Sequence, residues 1–132
     1  MNELQLKGVL QAFLVAIPAT QWDGLGTPRC FVNIYQGNST GSDTIVSRQS
    51  KKELQIELSI ESFGLILNTL DSELLSYKIQ IETLIRNNKS TPVISGLKFQ
   101  QWIKEIDTDG IAETEIRYRG KIKLFYKLNI FL

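Results

Sequence analysis

The chain has 132 residues, of which 42% are hydrophobic and 22% are charged, and these values are typical of a single soluble globular domain. It contains no His and one Cys, which excludes His-dependent hydrolytic triads, the usual zinc sites and an internal disulfide. No apolar stretch approaches the roughly 20 residues of a membrane-spanning helix, so we expect no membrane association. A reducing compartment is the natural environment for such a chain.

The formal net charge is +1, but the charges are unevenly placed along the chain. Five basic residues and no acidic residue follow Glu115, whereas the chain before that point is acidic overall. This separation favours either an anionic partner at the basic end or head-to-tail contact between copies of the chain.

The first half of the chain predicts a helix, a strand and a long loop. Glu3 to Ile17 carries apolar residues at helical spacing, and Pro18 prevents clean continuation. Arg29 to Tyr35 predicts a short buried strand. Gln36 to Ser50 is rich in Gly, Asn, Ser, Thr and Asp, so it predicts an exposed loop or arm.

The middle of the chain predicts a strand, a helix and a second strand. Lys51 to Ser62 alternates apolar and polar residues, which is typical of a strand with one solvated, acidic face. Asp71 is the predicted N-cap of a helix that extends to about Asn87. Leu97 to Ile106 predicts a strand, and Asp107 to Gly110 predicts the turn that follows it.

A long amphipathic strand, Thr114 to Leu132, is predicted to end the chain. One face is apolar except at Gly120, and the opposite face is basic. Because usual strands have about 5 to 6 residues, we expect this strand to bend near Gly120 or to extend beyond its sheet.

Together these elements predict the α+β class, with one domain over residues 1–132 and an arm at about 36–50. We expect a mainly antiparallel sheet of about four strands, with two helices packed on one face. We expect the edges of this sheet to be available to another chain.

Enzymatic and metal-binding interpretations find little support in the residues. Cys30 lies in an apolar strand without a His to activate it, so we interpret it as a buried structural thiol. Glu105, Asp107 and Asp109 have the spacing of the start of an EF-hand loop, but Ile116 occupies the position of its bidentate Glu. We therefore predict no catalytic residue, no metal site and no cofactor, and activity dependent on these carboxylates would revive the enzymatic alternative.

The basic face of the last strand leaves two interpretations open. Basic residues at every second position follow an anionic backbone well, and those concerned are Arg117, Arg119, Lys121 and Lys123. A solvated strand edge that Lys residues keep soluble has the same pattern. A small nucleic-acid-binding module is therefore an alternative function, although the near-neutral total charge does not favour it.

The order of these elements resembles the tail-terminator and tail-completion proteins of long-tailed bacteriophages. The resemblance includes the opening helix, the polar loop Gln36 to Ser50, the alternating strand Leu54 to Ile60, the Asp71-capped helix and the long basic strand. It implies a structural, non-enzymatic phage or prophage protein that joins the head to the tail.

The resemblance further implies a homo-oligomeric ring, typically a hexamer, that caps the tail tube and stops its polymerisation. Its partners would be the tail tube protein and the head-tail connector protein, and its location the virion tail after assembly in the bacterial cytoplasm. We hypothesise that Arg117, Arg119, Lys121 and Lys123 face a lumen through which DNA passes. Arg48, Lys51 and Lys52, at the base of the long loop, would contact an adjoining ring.

Overall fold

The computed structural model of the chain describes residues 2–17, 28–39 and 51–131, with the backbone alone at 37–39, 51, 52, 130 and 131. Three helices and four strands make up this part of the chain. They are α1 (Glu3–Leu14), β1 (Arg29–Ser39), β2 (Lys51–Gly64), α2 (Leu67–Asn87), α3 (Pro92–Ser95), β3 (Lys98–Ile111) and β4 (Ile116–Phe131).

The four strands form one antiparallel sheet in the order β1-β2-β4-β3, which confirms the predicted α+β fold. β2 and β4 lie in the centre, and β1 and β3 are the two edges. The central strands turn one face toward α1 and α2, and their buried side chains form the core there. These core residues are Leu54, Ile56, Leu58 and Ile60 of β2 and Ile122, Leu124, Tyr126 and Leu128 of β4.

Helix α1 begins at a capping box that the sequence analysis did not identify. The Asn2 side chain accepts a hydrogen bond from the Gln5 backbone N–H at 2.8 Å, and the Gln5 side chain accepts one from the Asn2 backbone N–H at 3.0 Å. The buried residues Leu6, Leu10 and Leu14 are one helical turn apart and face the sheet.

Helix α2 begins one turn earlier than predicted, so the prediction of Asp71 as its N-cap is wrong. Ile66 is the N-cap and offers no side-chain hydrogen bond. The additional turn buries Leu70 against the sheet, and this packing outweighs the capping preference of Asp71. Asp71 instead forms an ion pair with Lys104 of β3.

Two predicted connections belong to strands. Residues 36–39 continue β1, where Gln36 pairs with Leu54 and Ser39 with Lys52, because the long strand β2 offers them backbone partners. The segment Asp107 to Gly110 likewise continues β3, and its turn-favouring residues accommodate a bulge between Thr108 and Gly110. The turn lies at residues 112–115, where the Ala112 N–H donates to the Glu115 carbonyl at 2.7 Å. Residues 40–50 of the predicted arm lie outside the described part of the chain.

Strand β4 neither bends away at Gly120 nor extends beyond its sheet. It pairs with β2 from Tyr118 to Phe131 and with β3 from Ile116 to Lys127. Gly120 is needed for a different reason, since a Cβ there would lie 2.5 Å from Leu74 Cδ1 and 3.1 Å from Leu70 side-chain atoms. The missing side chain allows α2 to approach the centre of the sheet closely.

We expect Gly120→Ala to lower the free energy of unfolding by about 1–3 kcal/mol, because the new methyl overlaps the Leu74 side chain. Gly8→Ala in α1 is the control, since its Cβ has no atom within 4 Å and should slightly stabilise the helix. Urea denaturation of both variants provides the measurement. Equal free energies for Gly120→Ala and the unmodified chain would contradict the close packing of α2 at this position.

Candidate functional site

The four basic residues predicted to face DNA lie together on the helix-free face of β4. They alternate with the core residues along the strand, so the burial of one set places the other on the opposite side of the sheet. The set consists of Arg117, Arg119, Lys121 and Lys123.

Acidic residues on the neighbouring strands counter these basic side chains. Arg117 Nε lies 2.7 Å from Asp109 Oδ2, and Lys123 Nζ lies 3.5 Å from Glu105 Oε1. The strand register places Asp107 opposite Arg119. The basic strip is therefore set among carboxylates.

A regular alternation of charge crosses all four strands in one row. Arg29 of β1 is opposite Glu61 of β2, Glu61 is opposite Lys121 of β4, and Lys121 is opposite Glu105 of β3. Arg29 and Glu61 also form an ion pair. Opposite charges at cross-strand positions each contribute roughly 0.2–1 kcal/mol, so this row helps to fix the sheet register.

Aromatic rings lie beneath some of these cations on the same face. Lys121 Nζ is 5.2 Å from the centre of the Phe31 ring, and the Arg117 guanidinium is 5.3 Å from the centre of the Phe63 ring. Cation–π contacts of this kind hold the long side chains against the sheet. Arg119 is exposed and makes no ion pair within 4 Å among the described residues.

The predicted solvated face of β2 is partly buried, which corrects the sequence analysis. Glu57 is 6% exposed and Ser59 is 2% exposed, although both lie on the side of the sheet away from the helices. The cross-strand neighbours of Ser59 include Phe31, and those of Glu57 include Phe125. Large neighbouring side chains thus exclude water from the centre of this face.

The buried Glu57 carboxylate is satisfied from β1. Asn33 Nδ2 donates to Glu57 Oε2 at 2.7 Å. The nearby Tyr35 hydroxyl has a raised pKa, because of partial burial and because Glu57 disfavours a second negative charge beside it. A sequence pattern of alternating polarity gives no indication of this buried polar centre.

The edge strand β3 exposes apolar residues along much of its length. Phe99 is 49% exposed, Trp102 is 40% exposed and Ile103 is 36% exposed. Lys78 Nζ lies 4.7 Å from the Trp102 ring centre, so this ring rests beside α2 at the helix side of the sheet. Lys104, in the middle of this edge strand, forms an ion pair with Asp71 of α2.

A groove lies at the opposite edge, between α1 and β1. Its volume is about 300 Å³, and it is lined by Glu3, Leu4, Lys7, Val32, Asn33 and Ile34. Leu4 is 79% exposed at its rim.

The two ends of the sheet differ in character. At one end, where β2 leads into α2 and β3 turns into β4, exposed apolar side chains come together, namely Leu65, Ile66, Leu67, Ile111 and Ile116. At the other end Lys51 and Lys52 begin β2 and pair through their backbone with Phe131 and Ile130. Arg48, the third residue of the predicted inter-ring contact, lies outside the described residues.

The three carboxylates with EF-hand spacing lie beside basic residues of β4, and the single Cys is buried. Within ranges 2–17, 28–39 and 51–131, no three Cys, Asp or Glu side chains are arranged to hold a metal ion. Glu105 and Asp109 contact basic side chains, as described above, and Asp107 faces Arg119 across the strands. Cys30 is buried, and this burial raises the pKa of its thiol to about 11.

No family model matches the chain, and no curated protein matches its sequence. No helix in the part of the chain that the structure describes is long and apolar enough to cross a membrane. The resemblance to tail terminators therefore stays a prediction.

We expect Asn33→Ala to lower the free energy of unfolding by about 1–3 kcal/mol, because it removes the amide that donates a hydrogen bond to the buried Glu57 carboxylate. The control is Gln101→Ala in the same cross-strand row, whose exposed side chain should change stability by less than about 0.5 kcal/mol. Urea denaturation measures both, and an equal effect of the two variants would exclude a buried polar centre.

Alkylation by iodoacetamide tests the environment of Cys30. At pH 8 the folded chain should react far more slowly than the chain in urea, because burial both shields the thiol and keeps it protonated. Burial raises the pKa of this thiol from 9.0 to about 11. Its contribution to the free energy of unfolding is therefore complete below pH 9 and is lost as the pH rises from 9 to about 11, where the buried thiol would have to ionise. Equal alkylation rates would show that Cys30 is accessible.

Proposed function

We propose that the chain is a structural phage or prophage protein, a tail terminator whose copies form a ring on the tail tube. The observation that carries this proposal is the long edge strand β3 with its exposed Phe99, Trp102 and Ile103. Edges of this kind pair with other chains unless they are protected. A closed ring uses both edges of every copy and leaves none open.

The balanced charge of the helix-free face fits the lining of a channel for DNA. A strongly basic lining would retain DNA, because each neutralised phosphate releases counterions and adds affinity. Here Arg117 and Lys123 are paired with carboxylates, so their attraction for phosphate is reduced. We place this face toward the lumen, where it would allow DNA to pass without holding it.

The different ends of the sheet suit contacts with two different neighbours. When the strands run along the ring axis, the apolar end with Leu65, Ile111 and Ile116 forms one rim of the ring. The opposite rim carries Lys51 and Lys52, whose predicted role is contact with an adjoining ring. One rim would meet the tail tube and the other the head connector.

The proposal is tested by adding the purified chain to polymerising tail tube protein of the same phage. Tubes should stop growing and carry a ring at one end, because a terminator occupies the site of the next tube ring. Length distributions from electron micrographs measure this arrest. Tubes of unchanged length without an end ring would contradict the proposed function.

A reversal of charge at Arg119 tests the proposed lumen. Arg119→Glu should reduce the yield of infectious particles, since a ring repeats the new negative charge around the path of DNA. Arg119 makes no ion pair with the described residues, but Asp107 lies opposite it, so thermal unfolding must show that the variant folds. Arg86→Glu on the exposed side of α2 is the matched control. Equal yields from the two variants would contradict the lumen assignment.

The same variant distinguishes the nucleic-acid-binding alternative, which the grouping of four basic residues on one face favours. That alternative requires salt-dependent DNA binding by the isolated chain, weakened by Arg119→Glu. The terminator proposal requires no such affinity.

A further inference from the structure

We infer that copies of the chain join edge to edge, with β3 of one copy pairing antiparallel to β1 of the next and Ile103 opposite Phe31. The inference rests on the proposed ring and specifies the contact that would build it. Its basis is the match between β1 and β3, the two edge strands of the sheet in the described part of the chain.

Strand direction is compatible with this contact. The order β1-β2-β4-β3 is antiparallel throughout, so the two edge strands β1 and β3 run in opposite directions. Copies related by rotation about an axis along the strands therefore bring β3 beside the next copy's β1 in antiparallel orientation. The joined sheet continues the same alternation, and the contact is head-to-tail, as ring closure requires.

The cross-strand rows give the pairing. Extending the charged row by one strand places Glu105 opposite Arg29 of the next copy, so that positive and negative charges continue to alternate. The row that contains Ser59 and Lys123 ends in Phe31 on β1 and in Ile103 on β3. In the joined sheet, Ile103 of one copy therefore lies opposite Phe31 of the next, and two apolar residues are in contact. A register shifted by one residue would place side chains of opposite faces together.

The helix side of the same contact has a projection and a matching groove. The row through Leu58 and Leu124 ends in Val32 on β1 and Trp102 on β3. In the inferred pairing, Trp102 therefore reaches the groove between α1 and β1 of the next copy, which has a volume of about 300 Å³. Leu4, exposed at the rim of this groove, would be covered by the indole ring.

A second copy satisfies this edge better than an unrelated partner. The charge, the apolar residues and the groove are all complementary between β3 and β1 of the same chain. Lys104, in the middle of β3, forms an ion pair with Asp71 of its own chain and is therefore not placed to shield this part of the edge.

Disulfide crosslinking tests the pairing in full-length chains that carry Cys30→Ala. Directly opposite residues of an antiparallel pair have Cα atoms about 4.5–5.5 Å apart, within the range of a disulfide. Phe31→Cys combined with Ile103→Cys should therefore give a covalent ladder up to the size of the ring under mild oxidation. Within one copy these positions are separated by two strands, or roughly 14 Å, so a crosslink must join two copies.

Single-cysteine chains provide the control for direction. A mixture of Phe31→Cys chains and Ile103→Cys chains should give dimers only, while neither chain alone should crosslink. Phe31→Cys combined with Asp107→Cys should not crosslink, because Asp107 lies four residues from Ile103, about 13 Å along the strand. Dimers formed by either single-cysteine chain would show a two-fold contact and overturn the inference.

Trp102→Ala provides a second test that needs no cysteine. The concentration at half-assembly should rise at least about tenfold, whereas Ile79→Ala, at an exposed position of α2, should leave it unchanged. Thermal unfolding of dilute protein checks that both variants fold. An equal response of the two variants would overturn the placement of Trp102 in the groove.

The outcomes separate the edge contact from the proposed function. A ring in electron micrographs without the Phe31–Ile103 crosslink would overturn the edge pairing and leave the terminator proposal standing. The crosslinked ladder without any effect on tube growth would support the pairing and contradict the terminator. Chains that stay monomeric on tail tubes as well as in solution would overturn both.

Discussion

The pairing of β2 with β4 is the interaction on which the rest of the structure depends. Each strand has a row of four buried core residues on one face and mainly charged or polar residues on the other, and the two core rows pair with each other from Leu54 opposite Leu128 to Ile60 opposite Ile122. A slip of one residue would move every core side chain to the opposite face, so the hydrophobic effect determines this register. Gly120 adds a second condition, because only a residue without a side chain lets α2 approach there.

The charged face and the free edges follow from that central pairing. Once Ile122 and Leu124 face the helices, Lys121 and Lys123 must lie on the other side, where the acidic residues of β2 and β3 meet them. The order of the strands then leaves β1 and β3 without a second partner among the described residues. Assembly through these edges would give each edge strand a second partner strand from a neighbouring copy.

Sequence periodicity predicted the elements whose burial follows directly from the order of residues. The apolar row of β2 and the helical spacing of α1 were sufficient to place both elements and the α+β class. Long-range packing decided the rest. The start of α2 depends on the burial of Leu70 against distant Gly120, which no local capping rule indicates. Asp109 and Gly110 are typical of turns, yet they lie in β3. The backbone of this segment pairs with β4, and the Arg117 side chain of β4 donates a hydrogen bond to the Asp109 carboxylate.

The candidate site was predictable only in part for the same reason. Alternation along β4 correctly grouped Arg117, Arg119, Lys121 and Lys123 on one face, but their acidic neighbours come from strands far away in the sequence. Burial of Glu57 depends on Phe125 and on β1, and exposure of Trp102 depends on β3 being an edge. The alternation of residues along a strand shows which side chains share a face, but it does not show which strands lie beside it.

Amide hydrogen exchange at the two edges tests most directly the claim that the sheet edges join copies of the chain. In assembled protein, the backbone N–H groups of β3 and β1 that point away from their own sheet should exchange much more slowly than in dilute protein, because hydrogen bonds to a neighbouring copy protect them. Amides in the middle of α2 should exchange equally in both samples. Equal exchange of the edge amides before and after assembly would contradict the account.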